Sequence, residues 1–539
     1  MKSISVALSI LFICFFSTGF ASQFEDQNYQ RRGFRLDLLE NGSFNNSDTA
    51  LTTLKSGKWS VNGKILTLAG KNDTLLIEDK FKVSYTSHNK ITLIKKGERF
   101  SYHDLESTTS EGVFSFTSIL KGILGMLVLL SIGYLFSRDR KSIRWSIVFR
   151  GTMLQLGLAL LIIKVPFVST GFEFLSRVFT RLINFSHDGA EFLFSSLSTG
   201  EMHPMVTNFA TWILPSIIFF AAISSLLYYL GILQFIVKKL AWVMHRTLGI
   251  SGAESISAAA NIFIGQTEAP LLVKPYLSRM TKSEIMCLMV GGMATIAGGV
   301  LAAVIGILGG GDHAQELFYA KHLLTASFMS APAAIVFAKM LVPEKEEIDK
   351  NLDVPKDKIG TNALEAITNG TTDGLKLAVN VGAMLLVFMS LIAFVNYTLG
   401  WFGDITHLND LIASGGMYTT LSFESIAGYV LSPFAWTMGV EWQDCMYFGQ
   451  LLGEKTILNE FVAYPHLGVI KDELSQKSVV MATYVLCGFA NIASIGIQVG
   501  GIGILVPEKK SLLAQYGVLA LLAGTLACMS TAVIAGMLF

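Results

Sequence analysis

The chain predicts a polytopic α-helical membrane protein: eight transmembrane helices plus two opposed re-entrant hairpins in inverted repeats, preceded by a small N-terminal antiparallel β-domain. Three observations carry that expectation. Of 539 residues, 52% are apolar and only 15% charged, against roughly a quarter charged in soluble domains. The apolar residues fall in long runs that begin near residue 114, whereas residues 22–112 are polar. Two short polar sequences, Gly265-Gln266-Thr267-Glu268-Ala269-Pro270 and Asn459-Glu460-Phe461-Val462-Ala463-Tyr464, each set a carboxylate in apolar surroundings. A charged side chain at the bilayer centre costs about 2.5–3.5 kcal/mol even on insertion scales, so such groups persist where they face a polar cavity or a ligand.

Residues 1–21 read as a signal peptide, with Lys2 as the positive start, an apolar Ile4-to-Phe16 core and small residues at Gly19-Phe20-Ala21. Residues 22–112 read as an exported β-domain of five or so strands. Its runs are Lys58-Trp59-Ser60-Val61, Lys64 to Leu68, Thr74 to Ile77, Phe81 to Tyr85 and Lys90 to Ile94. Asn62-Gly63 between the first two is a hairpin signal. The segment has no catalytic constellation, which points to a structural or interaction role.

Residues 113–539 form the membrane domain. About 20 apolar residues span a bilayer, and the candidates are 115–136, 145–166, 206–236, 284–308, 319–342, 375–401, 478–505 and 512–538. Arg138, Arg140, Lys141 and Arg144 follow the first span, so its far end is expected in the cytoplasm. The β-domain and the C-terminus are then expected outside, in the periplasm of a bacterial inner membrane. Residues 171–186 carry one apolar stripe (Phe174, Leu175, Val178, Phe179, Leu182, Ile183) and read as an interfacial helix. Cys287, Cys445, Cys487 and Cys528 have no zinc or disulfide spacing and read as small core residues. The net charge of +1 leaves no basic excess for a nucleic-acid partner.

Residues 252–277 and 422–464 are too apolar for loops and too broken by Gly and Pro for spans, so they read as the re-entrant hairpins. Non-helical backbone at that depth is tolerated where it is buried in protein or lines a cavity. Each hairpin is followed by a span interrupted by small and polar residues: Ala294-Thr295-Ile296-Ala297-Gly298 in the first half, Gly488-Phe489-Ala490-Asn491-Ile492-Ala493-Ser494 in the second. The order hairpin, broken helix, apolar helix occurs twice, as in transporters built from inverted repeats. Gln266, Thr267, Glu268, Glu460 and Ser494 offer hydrogen bonds to a polar, uncharged, ring-bearing solute, and Phe489 a flat wall. No Arg or Lys clamp accompanies them, which disfavours a phosphorylated solute. Asn261, the Thr295 hydroxyl and carbonyls near Ile264 and Ile296 suit a small cation. Thr295 reads equally as a helix hydroxyl bonded to its own backbone.

At these motifs the sequence resembles the concentrative nucleoside transporter family. The matching stretches are Gly265 to Leu272 with Pro275-Tyr276-Leu277, Ala294 to Gly298, Asn459 to Tyr464, and Cys487-Gly488-Phe489-Ala490-Asn491, over roughly residues 115–539. The resemblance implies a homotrimer in which a transport domain moves against a scaffold. It implies a nucleobase read by Gln266, Thr267 and Glu268 with Val300 lining the pocket. Ribose would be read by Glu460, Asn491 and Ser494 with Phe489 beside it. It implies sodium at Asn261, the Ile264 carbonyl, Thr295 (often Ser in the family) and the Ile296 carbonyl; some bacterial members use protons, so the coupling ion stays open. Two other classes compete with cation-coupled transport. A membrane enzyme would use Glu268 and Glu460 as an acid–base pair, but no nucleophile or cofactor loop accompanies them. A solute-sensing receptor would use the β-domain as its input module, but has no need of two hairpins.

Overall fold

The structure, a computed structural model, describes residues 27–31, 34–38, 43–46, 56–62, 65–72, 75–87, 90–95, 98–104, 116–194, 209–349, 361–414 and 418–539. The expected signal peptide and Cys14 lie outside the described residues. The chain divides into two compact units, one essentially the segment before residue 114 and the other essentially everything after it.

In the first unit, eight strands close into an antiparallel barrel: β1 Gln27–Arg31, β2 Phe34–Leu38, β3 Ser43–Asn46, β4 Ser56–Asn62, β5 Ile65–Asn72, β6 Leu75–Ser87, β7 Lys90–Lys95 and β8 Glu98–Asp104. Closure comes from β1 pairing with β8, Tyr29 opposite Asp104. This corrects the five expected strands in two ways. β1 and β3 are mostly polar and show little apolar alternation, so they gave no strand signal; β2 does alternate, Phe34, Leu36 and Leu38 with Arg35 and Asp37, and was passed over. The runs around Thr74–Ile77 and Phe81–Tyr85 are one 13-residue strand, β6, whose pairing with β7 shifts register between Val83 and Tyr85. β4 and β5 pair with Asn62 opposite Ile65, flanking the expected turn.

The second unit is helical. It opens with α1 Phe116–Leu135 and α2 Trp145–Lys164. Between them Asp139 caps a short turn and pairs with Lys345 at 2.5 Å. The Lys345 ammonium, and next the Ser142 hydroxyl, hold the Asp139 carboxyl down at about 2. α3, Pro166–Phe194, is the amphipathic helix, longer than expected at 29 residues. It buries the small residues Ser176, Thr180 and Ala190 together with Ile183 and turns Phe174 and Val178 outward. The rest of the apolar stripe, Leu175, Phe179 and Leu182, is half-buried, and Phe179 stacks on Phe220 of the next long helix.

α4 Leu214–Tyr229 and α5 Ile232–Leu248 replace the expected span 206–236 and meet at a 78° bend. Gly231 sits there at φ +79°, a left-handed conformation that Gly adopts without a Cβ penalty. The first hairpin follows: α6 Gly252–Ala260, an irregular tip, then the one-turn helices α7 Ala269–Leu272 and α8 Lys274–Leu277. α9 Lys282–Ala294 and α10 Gly298–Gly309 form a broken helix, and α11 His313–Leu341 ends the first half.

The second half starts with α12 Ala363–Ile405, 43 residues long and largely outward-facing. Gly370 and Gly374 on it leave room for α4: a Cβ at Gly370 would lie 2.7 Å from the Ala221 carbonyl, and one at Gly374 2.8 Å from Ile218 Cα. Small residues four apart allow such close approach in membrane helices. Then come α13 Leu408–Ser414, α14 Phe423–Thr437, α15 Cys445–Ile457 and α16 Glu460–Ile470. The expected hairpin 422–464 is therefore cut differently: the helix–turn–helix around the polar tip is α15–α16, and α14 is a separate helix before it. α17 Gln476–Leu486 and α18 Ile492–Leu505 are the second broken helix, and α19 Lys510–Met537 closes the unit.

Among the described residues six helices are long and apolar enough to cross a membrane, seven if the bent α4–α5 pair is one span, against eight expected. The stretch 478–505 falls short because it is split at residues 487–491. Cys287, Cys445, Cys487 and Cys528 are free and buried.

Candidate functional site

Two helix breaks cross at the centre of the second unit. α9 ends at Ala294; Thr295 (φ −116°, ψ 167°) and Ala297 (φ −69°, ψ 147°) are extended before α10 begins. α17 ends at Leu486, and Asn491 caps α18, its Oδ1 accepting from the Ser494 N–H at 2.8 Å. The Phe489 N–H donates to the Thr295 carbonyl at 3.3 Å, joining the two breaks. Gly488 stands at φ +151°, and a Cβ there would lie 2.8 Å from both the Ala294 carbonyl and Cys528 Sγ. Only Gly fits where the breaks pass each other.

Both hairpin tips reach this crossing. From the first, Gln266 Nε2 donates to Ser494 Oγ at 3.1 Å. Its Oε1 accepts from Gln498 Nε2 at 3.0 Å, and Gln498 Nε2 also donates to the Met289 carbonyl at 3.0 Å. Gly292 makes room: a Cβ there would lie 2.7 Å from Gln498 Nε2 and 2.8 Å from Gln266 Cβ. The Gly298 N–H donates to the Phe263 carbonyl at 3.1 Å, tying the tip to the start of α10. From the second tip, Glu460 Oε2 accepts from Asn491 Nδ2 at 3.0 Å. Glu460 lies in the first turn of α16, where the helix dipole favours a negative charge.

Gln266, Ser494, Asn491 and Glu460, named from sequence, thus form one connected chain of contacts. All four are buried, Glu460 at 2% exposure. Val300, the third residue of α10, and Phe489, in the second break, are buried as well. Thr267 and Glu268 differ. Both are exposed, and Glu268 Oε2 lies only 2.5 Å from where a Cβ of Gly265 would stand. Of the three residues expected to read a base, Gln266 faces the second half of the site, whereas Thr267 and Glu268 are exposed.

Sequence reading missed Gln498. Its signal was available, an amide one turn beyond Ser494 in an otherwise apolar half-helix, but it belonged to no motif.

Two of the candidate cation ligands, Asn261 and Thr295, meet at the last turn of α9, around Gly291. Asn261 is buried; its Nδ2 donates to the Ser257 carbonyl at 3.0 Å, and its Oδ1 has no hydrogen-bond partner. A Cβ on Gly291 would lie 3.2 Å from Asn261 Nδ2. Thr295 Oγ1 donates to the Gly291 carbonyl at 2.8 Å, so the plain backbone-bonded reading of Thr295 is realised, with the oxygen lone pairs still available. Ile264 and Ile296 are buried beside these groups in sequence. An orphaned amide oxygen with a neutral hydroxyl and carbonyls suits a small monovalent cation. Among the described residues no group of three His, Cys, Asp or Glu gathers as a divalent metal would need.

Comparison with known proteins agrees with this architecture. Family models described as Na+ dependent nucleoside transporter N-terminus and C-terminus match residues 124–197 and 322–536, and one described as nucleoside recognition matches 210–311. Solute carrier family 28 member 3 of Rattus norvegicus is 40% identical over 77% of this chain and 58% of its own length. The chain thus spans little more than half of that mammalian relative. An uncharacterized transporter of Haemophilus influenzae is 40% identical over 78% of this chain and 98% of its own length. The solved structure of CNTnw in an inward-facing substrate-bound state is 37% identical, with a TM-score of 0.69, covering 78% of this chain and 99% of that one. A variant of CNTnw in an outward-facing state matches with a TM-score of 0.69 at 35% identity over 78% of this chain and 97% of that one. The chain belongs to the concentrative nucleoside transporter family.

Proposed function

We propose that this protein carries nucleosides across the membrane by alternating access, driven by a coupled cation. The observation that carries the reading is the convergence of two polar tips, Gln266 and Glu460, on one pair of crossed helix breaks through Ser494 and Asn491. A site shared by two structural halves can open to either side when one half moves. Relatives whose names state sodium/nucleoside cotransport, and CNTnw structures in inward- and outward-facing states, support the same assignment. In this reading Gln266, Thr267, Glu268 and Val300 serve the base. Glu460, Asn491, Ser494 and Phe489 serve the ribose.

Sodium is the proposed coupling ion, at Asn261 Oδ1, the Thr295 hydroxyl and the Ile264 and Ile296 carbonyls; a proton is the alternative. The orphaned Asn261 oxygen favours sodium, since a buried acceptor left unpaired is costly unless a cation takes it. The two helix–turn–helix segments are proposed to be re-entrant, the assembly a homotrimer, the leader a signal peptide, and both the N-terminal barrel and the C-terminus periplasmic.

Uptake of labelled uridine into proteoliposomes tests this. Accumulation is expected with an inward sodium gradient, with half-maximal sodium rising at least about tenfold in Asn261→Ala. Uptake indifferent to both sodium and proton gradients would overturn coupled transport. Uptake driven by protons alone would transfer the coupling to the alternative ion.

A further inference from the structure

Gln498 lies one turn along α18 from Ser494 and is 1% exposed. Its NH2 end faces the Met289 carbonyl, and its Oε1, on the other side, has no hydrogen-bond partner. A backbone carbonyl only accepts, so Met289 fixes which end of the Gln498 amide faces it. An NH2 group carries two hydrogens and accepts nothing. With one hydrogen on Met289, the second demands an acceptor, and that acceptor is Gln266 Oε1. Gln266 must then turn its own NH2 away from Gln498, where it meets Ser494 Oγ. Amide orientations are assigned from such networks, and this one starts from a group with a single possible role. Hydrogen-bond polarity is thereby passed from the α9 backbone through Gln498 to the hairpin tip. Ser494 takes one Gln266 hydrogen, and the other is left for a ligand.

We propose that Gln498 is a specificity-determining positioning residue: it locks Gln266 as a donor toward the substrate. Glu268, two residues along the same tip and on its accessible side, is an acceptor when ionised. A donor beside an acceptor complements a base edge that presents a carbonyl next to a ring N–H, as in uridine or inosine. It mismatches an exocyclic amine next to a bare ring nitrogen, as in cytidine or adenosine. The site therefore selects the first class over the second. This inference rests on the nucleoside reading above.

Glutamate is the discriminating replacement at 498. It has the shape of Gln, but its protonated acid carries one hydrogen where the amide carries two. Met289 takes that hydrogen, and a lone pair then faces Gln266; an ionised carboxylate likewise offers Gln266 only acceptors. Gln266 turns over and presents its oxygen to the ligand, while the Ser494 hydroxyl rotates to donate.

The experiment measures equilibrium binding of uridine and cytidine to the purified full-length protein, its Gln498→Glu and its Gln498→Met variants, with thermal melts reporting folding. The unaltered protein is expected to bind uridine at least about tenfold tighter than cytidine, the cost of one mismatched buried hydrogen bond. In Gln498→Glu the uridine-to-cytidine ratio is expected to fall about tenfold or more. In Gln498→Met, where Gln266 is free to turn, it is expected to fall by about threefold. An unchanged ratio in folded variants, with uridine still bound, would overturn the relay and leave the nucleoside reading standing. If Gln498→Glu does not fold, the Gln498→Met ratio decides. Failure of the unaltered protein to bind either nucleoside would overturn both.

Discussion

The two polar tips carry the same residue type and hold it in opposite ways. Glu460 is 2% exposed, starts a regular helix and is held by Asn491, the same side chain that caps α18. Glu268 is exposed, lies in an eight-residue irregular tip and precedes two one-turn helices that begin with Pro270 and Pro275 in their first turns. One tip has its hydrogen bonds oriented by helix ends; the other joins a buried, hydrogen-bonded amide, Gln266, to exposed neighbours. Their supports differ too. The first hairpin is anchored by a buried ion cluster in which Lys339 Nζ contacts Glu254 at 2.5 Å, Glu344 at 3.0 Å and Ser283 Oγ at 3.0 Å. The second leans on a Glu454–His466 contact of 2.8 Å, on Gln450, and on Lys455 donating to the Val485 carbonyl at 2.7 Å. On the proposed reading, the half built on Glu460 would serve the ribose, and the half built on Gln266 would take its selectivity from the orientation that Gln498 sets.

Breaking the anchor of the first hairpin has the largest expected effect. Lys339→Met strands two buried carboxylates, a loss of about 3–5 kcal/mol, and the melting temperature should fall steeply. A melt within about 2 °C of the unaltered protein would show that Glu254 and Glu344 are hydrated or protonated instead, since 1 kcal/mol alone shifts Tm by a few degrees. Glu460→Gln comes next. It exchanges a buried carboxyl for an amide, leaving one acceptor oxygen and putting a donor in place of the other, with an expected loss of roughly 1.5–3 kcal/mol or about 10- to 150-fold in affinity. Ribonucleosides should lose more than 3′-deoxy analogues; equal losses would mark a folding defect. Asn491→Ala removes both the cap and the Glu460 contact, costing about 1–2 kcal/mol of stability and some of the Glu460 effect on binding. Additive losses in the double variant would deny that the two residues act as a unit.

Legibility from sequence followed the same divide. Charge or amide in apolar surroundings is conspicuous, so Gln266, Glu460, Asn491 and the two helix breaks could be named before any coordinates. The bend at Gly231 was missed because the apolar run continues straight through it, and hydropathy carries no angle. α14 was absorbed into the second hairpin because it too is apolar and broken by Gly and Pro, and it packs directly on α15, where Gly449 and Gly453 meet Gly428 and Ala427. Strands β1 and β3 were missed because a strand that does not alternate apolar and polar residues is silent to a period-two reading; β2 carried the signal, Phe34, Leu36 and Leu38 alternating with Arg35 and Asp37, and was passed over. Gln498 and the exposure of Glu268 depend on which face of a tip or half-helix meets the other repeat, a contact across more than 200 residues of sequence.

Glu268→Gln should have the smallest effect, and it is the most direct test of the contrast. An exposed acceptor exchanges a ligand bond for a water bond, so its net worth is near the low end for hydrogen bonds, about 0.5–1.5 kcal/mol. Uridine affinity should fall by less than about tenfold, well short of the Glu460→Gln loss, and the melting temperature should not move. Cytidine should lose less than uridine, because the carboxylate opposes its bare ring nitrogen and the amide can donate to it. A Glu268→Gln loss equal to that of Glu460→Gln, measured on the same nucleoside, would mean that the first tip closes over the ligand and buries Glu268 in the bound state. The asymmetry between the tips would then belong to one conformation of the transport cycle and not to the site itself.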